Sequence, residues 1–470
     1  MKPWRVVAIV CLCAAVLVGV SLVRWLRPMD LEKERAAARA AGLPLTPADF
    51  PLPQYPPSQD ATPDWTALGP QLTAAGDSPA WQAVDDAEVD GVPPASSNAA
   101  LFRLISAERK TLDRLHVAAN KPGRSLDRGW GPDVLFPEFA RMREAAKLLR
   151  LESLAMARQG HPVEAIRNQA LGFRIAKQAD EDPILIGYLV GVAIENISLS
   201  GMGDIVRENP TPAVAAAIHS AIAQGAPKYD IVRDLKGEAL GSLTAIHMIG
   251  SPAAARMLSG DSSNYDPAVL KRRPSAFMRF ALQEPGEAVY LHYMTKQIQA
   301  ATLPRGQRER ALEALAKEQS FSARRGPAYI LPSALLPAFS RAYQHGDEAL
   351  ARRVVLMAGA DVLAYRTVHG AFPDALTQAA ASAREPFTGK PLGYRRTKDG
   401  FVVYSVIAGA QFDGRPGKDA KGQVYFSYPI ASLNPMLMRP RPLPRRRLMP
   451  AGKMPTPAPM PGGPPIPAAP

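Results

Sequence analysis

Cysteine is scarce. The only two, Cys11 and Cys13, both lie in an apolar N-terminal run, so neither a structural disulfide in the folded region nor a thiolate metal site is expected. The seven histidines (His116, His161, His219, His247, His292, His345 and His369) include no pair at a metal-ligand spacing such as H-E-x-x-H. No G-x-S-x-G elbow, P-loop or G-x-G-x-x-G occurs. No second group converges on any nucleophile, so none is nominated, and no cofactor is expected. A period-two strand pattern is missing before residue 392, and no acid follows Asp419.

That last absence explains much of the charge. The net charge is +13, and Arg439, Arg441, Arg445, Arg446, Arg447 and Lys453 supply six of it. The rest is mixed with acids along the chain. A solvated basic tail accounts for this balance, and nucleic acid is not expected as a partner. The RPLPRRR run (441–447) also has the look of a polyproline ligand.

One long hydrophobic run is present. Val6 to Val23 is eighteen residues without a charge. A helix needs about 20 such residues to span a bilayer core. Trp4 and Trp25 flank the run as interfacial anchors. No small-x-small cleavage site follows directly, which favours an uncleaved signal anchor over a removed signal peptide. The expected topology is single-pass in the inner (cytoplasmic) membrane, with the bulk of the chain exported to the periplasm or cell exterior. Cys11, Ala15 and Gly19 fall four apart on one face, a spacing that would let two anchors pair as a homodimer.

The 47 prolines crowd residues 43–94 and 435–470. The expected division follows from them. Residues 1–27 form the anchor, and 28–97 a juxtamembrane helix with a proline-rich spacer that holds the folded part away from the bilayer. Residues 98–346 form a helical domain, 347–429 a small α+β module, and 430–470 a disordered tail. The fold class is mainly α: a transmembrane helix, an irregular soluble helical bundle, and a C-terminal module with an antiparallel hairpin.

Within the helical region, residues 136–160 and 161–179 repeat apolar positions at three and four, and meet at Gly160 as a helical hairpin. Residues 182–206 are very apolar and contain Gly187-x-x-x-Gly191. Glu195 and Asn196 in their middle argue for a buried core helix. His219 and His247 read as core or boundary residues. Glu284, Glu287 and His292 form the nearest approach to an acidic/imidazole cluster, although position 292 only partly shares the face of the other two.

The stretch Asp347 to Tyr428 carries the most consistent local signals. A helix over 348–369 ends at Gly370, which can take the left-handed cap conformation. Pro373 can open a short helix, DALTQAAASA (374–383). EPFTGKP (385–391) supplies turn chemistry. LGYRR and FVVYSV are strands joined across Asp399-Gly400, and QVYFSY (423–428) can add a third. Phe372, Phe387, Tyr394, Phe401 and Tyr404 are expected to pack this sheet on the helix.

The sequence YRTVHGAFPDAL, then EPFTGKPLGYRR and DGFVVYS, resembles the C-terminal part of the type II secretion major pseudopilin. It is also similar to membrane-anchored bacterial envelope proteins that carry this module behind a helical region. The resemblance covers about 80 residues. It implies an envelope location and, at the loop after the second strand, calcium ligands, for which Asp413 and Asp419 are the candidates. That loop also holds three basic residues, whereas calcium wants net negative charge. The prepilin cleavage pattern does not precede Val6. The expected function is a membrane-anchored, non-enzymatic envelope protein acting through contacts with other envelope proteins. The alternatives are a component of a type II secretion or pilus-like machine, and an enzyme whose site is assembled from faces of the helical domain.

Overall fold

A computed structural model describes residues 27–88, 92–131, 134–248, 279–322, 326–329, 332, 335–336, 339–406 and 423–428. The anchor Val6–Val23 with Cys11, Ala15 and Gly19, the loop aspartates Asp413 and Asp419, and the tail 430–470 lie outside the described residues. The chain is mainly helical and carries a small three-stranded antiparallel sheet.

Among the described residues the α-helices are, in chain order, α1 (Leu31–Ala40), α2 (Thr62–Asp77), α3 (Pro79–Ala87), α4 (Asn98–Ala107), α5 (Arg109–Asn120), α6 (Pro137–Arg158), α7 (Pro162–Gln169) and α8 (Leu171–Asp180). There follow α9 (Leu185–Glu208), α10 (Pro212–Gly225), α11 (Ile231–Met248), α12 (Glu284–Ala301), α13 (Arg305–Ser322) and α14 (Phe339–His369). The strands are β1 (Gly393–Arg396), β2 (Phe401–Val406) and β3 (Gln423–Tyr428), in the order β1-β2-β3.

The apolar helix α9 is the axis. It packs on α6, α8, α11 and α14. The two glycines of its G-x-x-x-G are what let α8 approach: a Cβ at Gly187 would sit 3.0 Å from the Ala179 carbonyl oxygen, and one at Gly191 2.8 Å from that of Ala176. Among the described residues, α9 alone is long and apolar enough to cross a membrane, and 56% of its apolar window is buried inside the protein. Its Glu195 is fully buried and takes Nη2 of Arg353 on α14 at 2.8 Å. A charge with a built partner suits a protein core and not a lipid-facing helix.

Upstream of α9, α6 folds back on α7 through Gly160 (φ +93°), as the repeat pattern implied. The expected single helix over 161–179 is divided at Ala170 into α7 and α8.

The proline-rich stretch is not a spacer. Pro63 and Pro79 fall in the first turns of α2 and α3, where a missing N–H is tolerated, and Pro70 is accommodated inside α2. These helices bury Trp65, Leu68, Leu72, Trp81 and Val84 against α4, α5 and α6. Residues 53–55 are bound to the segment after α5: Gln54 Nε2 donates to the Leu126 carbonyl at 2.8 Å, and Leu126 N–H to that of Pro53 at 3.0 Å. The expected 28–97 linker therefore contributes to two cores, Ala38 and Leu43 to the one with α11 and α12 and residues 61–84 to the one with α4, α5 and α6. Proline composition was a poor guide because it does not distinguish helix starts from helix breaks.

A separate module beginning at 347 is also corrected. That boundary falls inside α14, which runs from Phe339 and packs on α9 and α10 as well as on the sheet. One apolar cluster joins Phe173, Met202 and Ile218 to Val355, Leu363, Phe401 and Phe426. Gly370 caps α14 with φ +74°, its N–H donating to the Arg366 carbonyl at 2.8 Å. The expected helix over 374–383 reduces to one 3-10 turn, Leu376–Gln378. In EPFTGKP, Glu385 is buried and accepts from the N–H groups of Phe387 (3.0 Å) and Thr388 (2.7 Å). β1 and β2 pair in register with Arg396 opposite Phe401, and β2 and β3 with Phe401 opposite Tyr428. Phe401, Val403, Val424 and Phe426 face α14, with Phe372, Phe387 and Tyr394 packed around them. Tyr404 is the exception: strand alternation puts it on the opposite face, over Gly393.

Candidate functional site

The largest opening among the described cavities is about 640 Å³ and lies where α1, α11 and α12 meet. Each element is placed by local chemistry. Asp30 caps α1, its Oδ1 accepting from Lys33 N–H at 3.0 Å, and Ala38 of α1 is buried in the cluster shared with α11 and α12. α12 starts with Glu284, Pro285 and Glu287, acids in the first turn where the helix dipole favours them. Gln283 ties the two helices together by donating to the His247 carbonyl at 2.8 Å.

The lining is a set of paired opposite charges. Arg27 Nη2 meets Glu284 Oε2 at 2.9 Å, and Arg279 approaches the other oxygen of Glu284 at 3.9 Å. Arg35 donates through Nε to Glu287 (2.8 Å) and through Nη1 to Glu32 (2.9 Å). His247 Nε2 lies 2.8 Å from the second oxygen of Glu287, and its ring is half exposed. Burial pushes the Glu287 carboxyl up, but the hydrogen bonds from His247 and Arg35 outweigh it and hold the group below its ordinary value. The same bond to Glu287 raises Arg35. Glu287 is thus an ionised anchor that orients both an imidazole and a guanidinium toward a polar space.

The acidic/imidazole cluster read from the sequence is half right in composition. Glu284 and Glu287 do line the cavity. His292 does not: its Nδ1 lies 3.3 Å from Glu34 and its Nε2 4.0 Å from Glu318. The imidazole that joins the acids is His247, forty residues away in the chain. Arg27 and Arg35 were missed as well, and their separations of 257 and 252 residues from their partners leave no local signal.

Four of the other histidines lie beside carboxylates or rings. His116 lies 2.8 Å from Glu152, and His345 3.7 Å from Glu348. His369 packs on Tyr365 with centroids 4.1 Å apart. His219 lies 2.9 Å from Asp361, which raises it above its ordinary value, burial opposing. His219 and His247 are each close to half exposed, so neither is a core residue. Among the described residues, no three His, Cys, Asp or Glu side chains are grouped to hold a metal ion.

A second cluster of charge is enclosed. Asp234 is fully buried, takes Arg233 Nη2 at 2.8 Å, and shares that nitrogen with Asp180 at 3.4 Å. Burial, then the neighbouring Asp180, pushes Asp234 up to about 8, and burial pushes Asp180 up to about 6. The two carboxylates are largely buried, and Arg233 between them is a third exposed.

These geometries have no precedent to borrow from. No family model, characterised protein or solved structure matches this chain.

Proposed function

We propose that the protein is a single-pass, membrane-anchored envelope protein whose helical body sits directly against the bilayer and acts through contacts made there. The observation that carries this reading is the join between anchor and body. The charge-free run ends at Val23, and Arg27 is already ion-paired to Glu284 of α12. An extended chain covers at most about 3.6 Å per residue, so four residues hold Arg27 within roughly 15 Å of the apolar run. The stretch expected to act as a proline-rich spacer instead carries α2 and α3, whose Trp65, Leu68 and Trp81 are packed into the body, which supports a body held close to the anchor. Two measurements on the full chain test the reading. Alkaline carbonate should leave the chain in the membrane pellet, and protease added to spheroplasts should digest its bulk. Release by carbonate, or digestion only after lysis, overturns it.

A second reading, an enzyme of the helical domain, is favoured by one observation: Glu284, Glu287 and His247 converge on a cavity of catalytic size. His247→Ala is its test, against any turnover found for the chain. The pseudopilin-like reading of 348–406 draws support from the packing of α14 across three antiparallel strands. It predicts co-purification with secretion components after crosslinking.

A further inference from the structure

The cavity between α1, α11 and α12 has two properties that together specify a ligand. The first is its balance of charge. Arg27, Arg35 and Arg279 face Glu32, Glu284 and Glu287, with Asp30 at the rim. A simple anion entering here meets carboxylates, and a simple cation meets guanidinium groups. A zwitterion carrying a phosphate and a protonated amine a few ångströms apart can meet both, each with charge-assisted hydrogen bonds. The exposed members of the set are available for this exchange. Arg279 is 58% exposed and only 3.9 Å from Glu284, and Glu32 is 75% exposed. Arg35 and Glu287, the more buried pair, hold the floor in place.

The second property is position, and here the argument rests on the membrane-anchor reading above. The rim begins at Arg27, within roughly 15 Å of the apolar run. The polar headgroup layer on each side of a bilayer is about 5–7 Å thick. The rim therefore lies inside the headgroup layer or within about 10 Å of it, in reach of a lipid headgroup. Its lining is predominantly polar side chains, which suits a headgroup and not an acyl chain. Phe280, exposed beside Arg27 with the guanidinium 5.0 Å from its ring centroid, provides an apolar edge on the same side.

We propose that this cavity binds the headgroup of a phospholipid bearing one phosphodiester and one primary ammonium, as in phosphatidylethanolamine. The phosphodiester lies against Arg27 and Arg279, and the ammonium donates to Glu32 and Glu284. A trimethylammonium cannot donate, and a glycerol headgroup leaves the carboxylates unmatched, so both are discriminated against.

The test uses the full chain in mild detergent and the soluble probe glycerophosphoethanolamine, with binding read by calorimetry. Binding should exceed that of glycerophosphoglycerol and of glycerophosphocholine by about tenfold, and native mass spectrometry should show the same order for the intact lipids. Arg279→Gln and Glu32→Gln, both at exposed positions, should each weaken binding by about tenfold, with an unchanged melting curve. Arg109→Gln, at an exposed position of α5 outside the cavity lining, should have no effect. Absent binding, equal binding of the glycerol probe, or indifference to both cavity substitutions overturns the assignment. Carbonate extraction reads the anchor independently. A chain that binds the soluble probe but is released from membranes keeps the zwitterion site and refutes the lipid as its source.

Discussion

Removing Arg353 should be among the most damaging single changes to this protein. Arg353 on α14 reaches Glu195 on α9, a fully buried carboxylate, and also donates through Nη2 to the Pro227 carbonyl at 2.8 Å. Arg353→Ala leaves that carboxylate in a low-dielectric interior without its cation. Breaking a buried pair in this way costs about 3–5 kcal/mol. At an unfolding entropy of about 2.1 cal/mol/K per residue, a folded region this large loses about 1.5 °C of Tm per kcal/mol, so a fall of roughly 6 °C is expected. Replacing both partners by Leu removes the stranded charge along with the pair, and is expected to cost less than Arg353→Ala alone. The assay is urea denaturation of the full chain in mild detergent, followed by tryptophan fluorescence, across the four members of the double-mutant cycle. A loss below about 1 kcal/mol in Arg353→Ala, or strictly additive effects, would refute both the pairing and the claim that α14 and the sheet share one core with α9.

Three further outcomes follow from the same structure. Trp65→Ala, on α2, should cost about 3–5 kcal/mol in urea denaturation, whereas a spacer residue would cost nothing measurable. Gly191→Leu should be destabilising by about 1–3 kcal/mol, since its Cβ first meets the backbone oxygen of Ala176, which cannot swing aside; an unchanged melting temperature counts against the α8–α9 contact. Asp234 gives a pH signature. Its folded pKa is raised to about 8, so the protonated form stabilises the fold below its unfolded value, and that contribution is lost as pH rises through about 8. Asp234→Asn, facing Asp180, Asp230 and Arg233, should therefore melt higher than the parent at pH 9, with the difference shrinking toward pH 4; a difference that does not change with pH would contradict it.

The parts of the fold that were legible were those written in adjacent residues. Strand alternation, Asp399-Gly400 and the cap at Gly370 located β1, β2 and the end of α14. The hairpin of α6 and α7 was readable from periodicity and Gly160. The central position of α9 followed from Glu195, because a lone charge in an apolar run needs a protein partner. What failed was composition used as geometry. The proline-rich stretch that holds α2 and α3 was read as a spacer, and Tyr404 was assigned to the wrong face although alternation excludes it. The cavity was not legible for a different reason. Glu287 draws one partner from α1 and another from α11, and the helix faces that bring them together depend on packing across some 250 residues.

The central claim is that the folded body lies against the membrane, and Phe280 is the place to measure it. This residue is exposed, sits beside Arg27, and lies far from the anchor in sequence. With Cys11 and Cys13 replaced by Ser, a fluorophore at Phe280→Cys in the reconstituted full chain can be quenched by lipids carrying a nitroxide at the headgroup. Strong quenching, equal to that of a label at Lys33, is the predicted result. A label at 280 that stays bright while the label at 33 is quenched would show a body held off the bilayer, and would contradict the account.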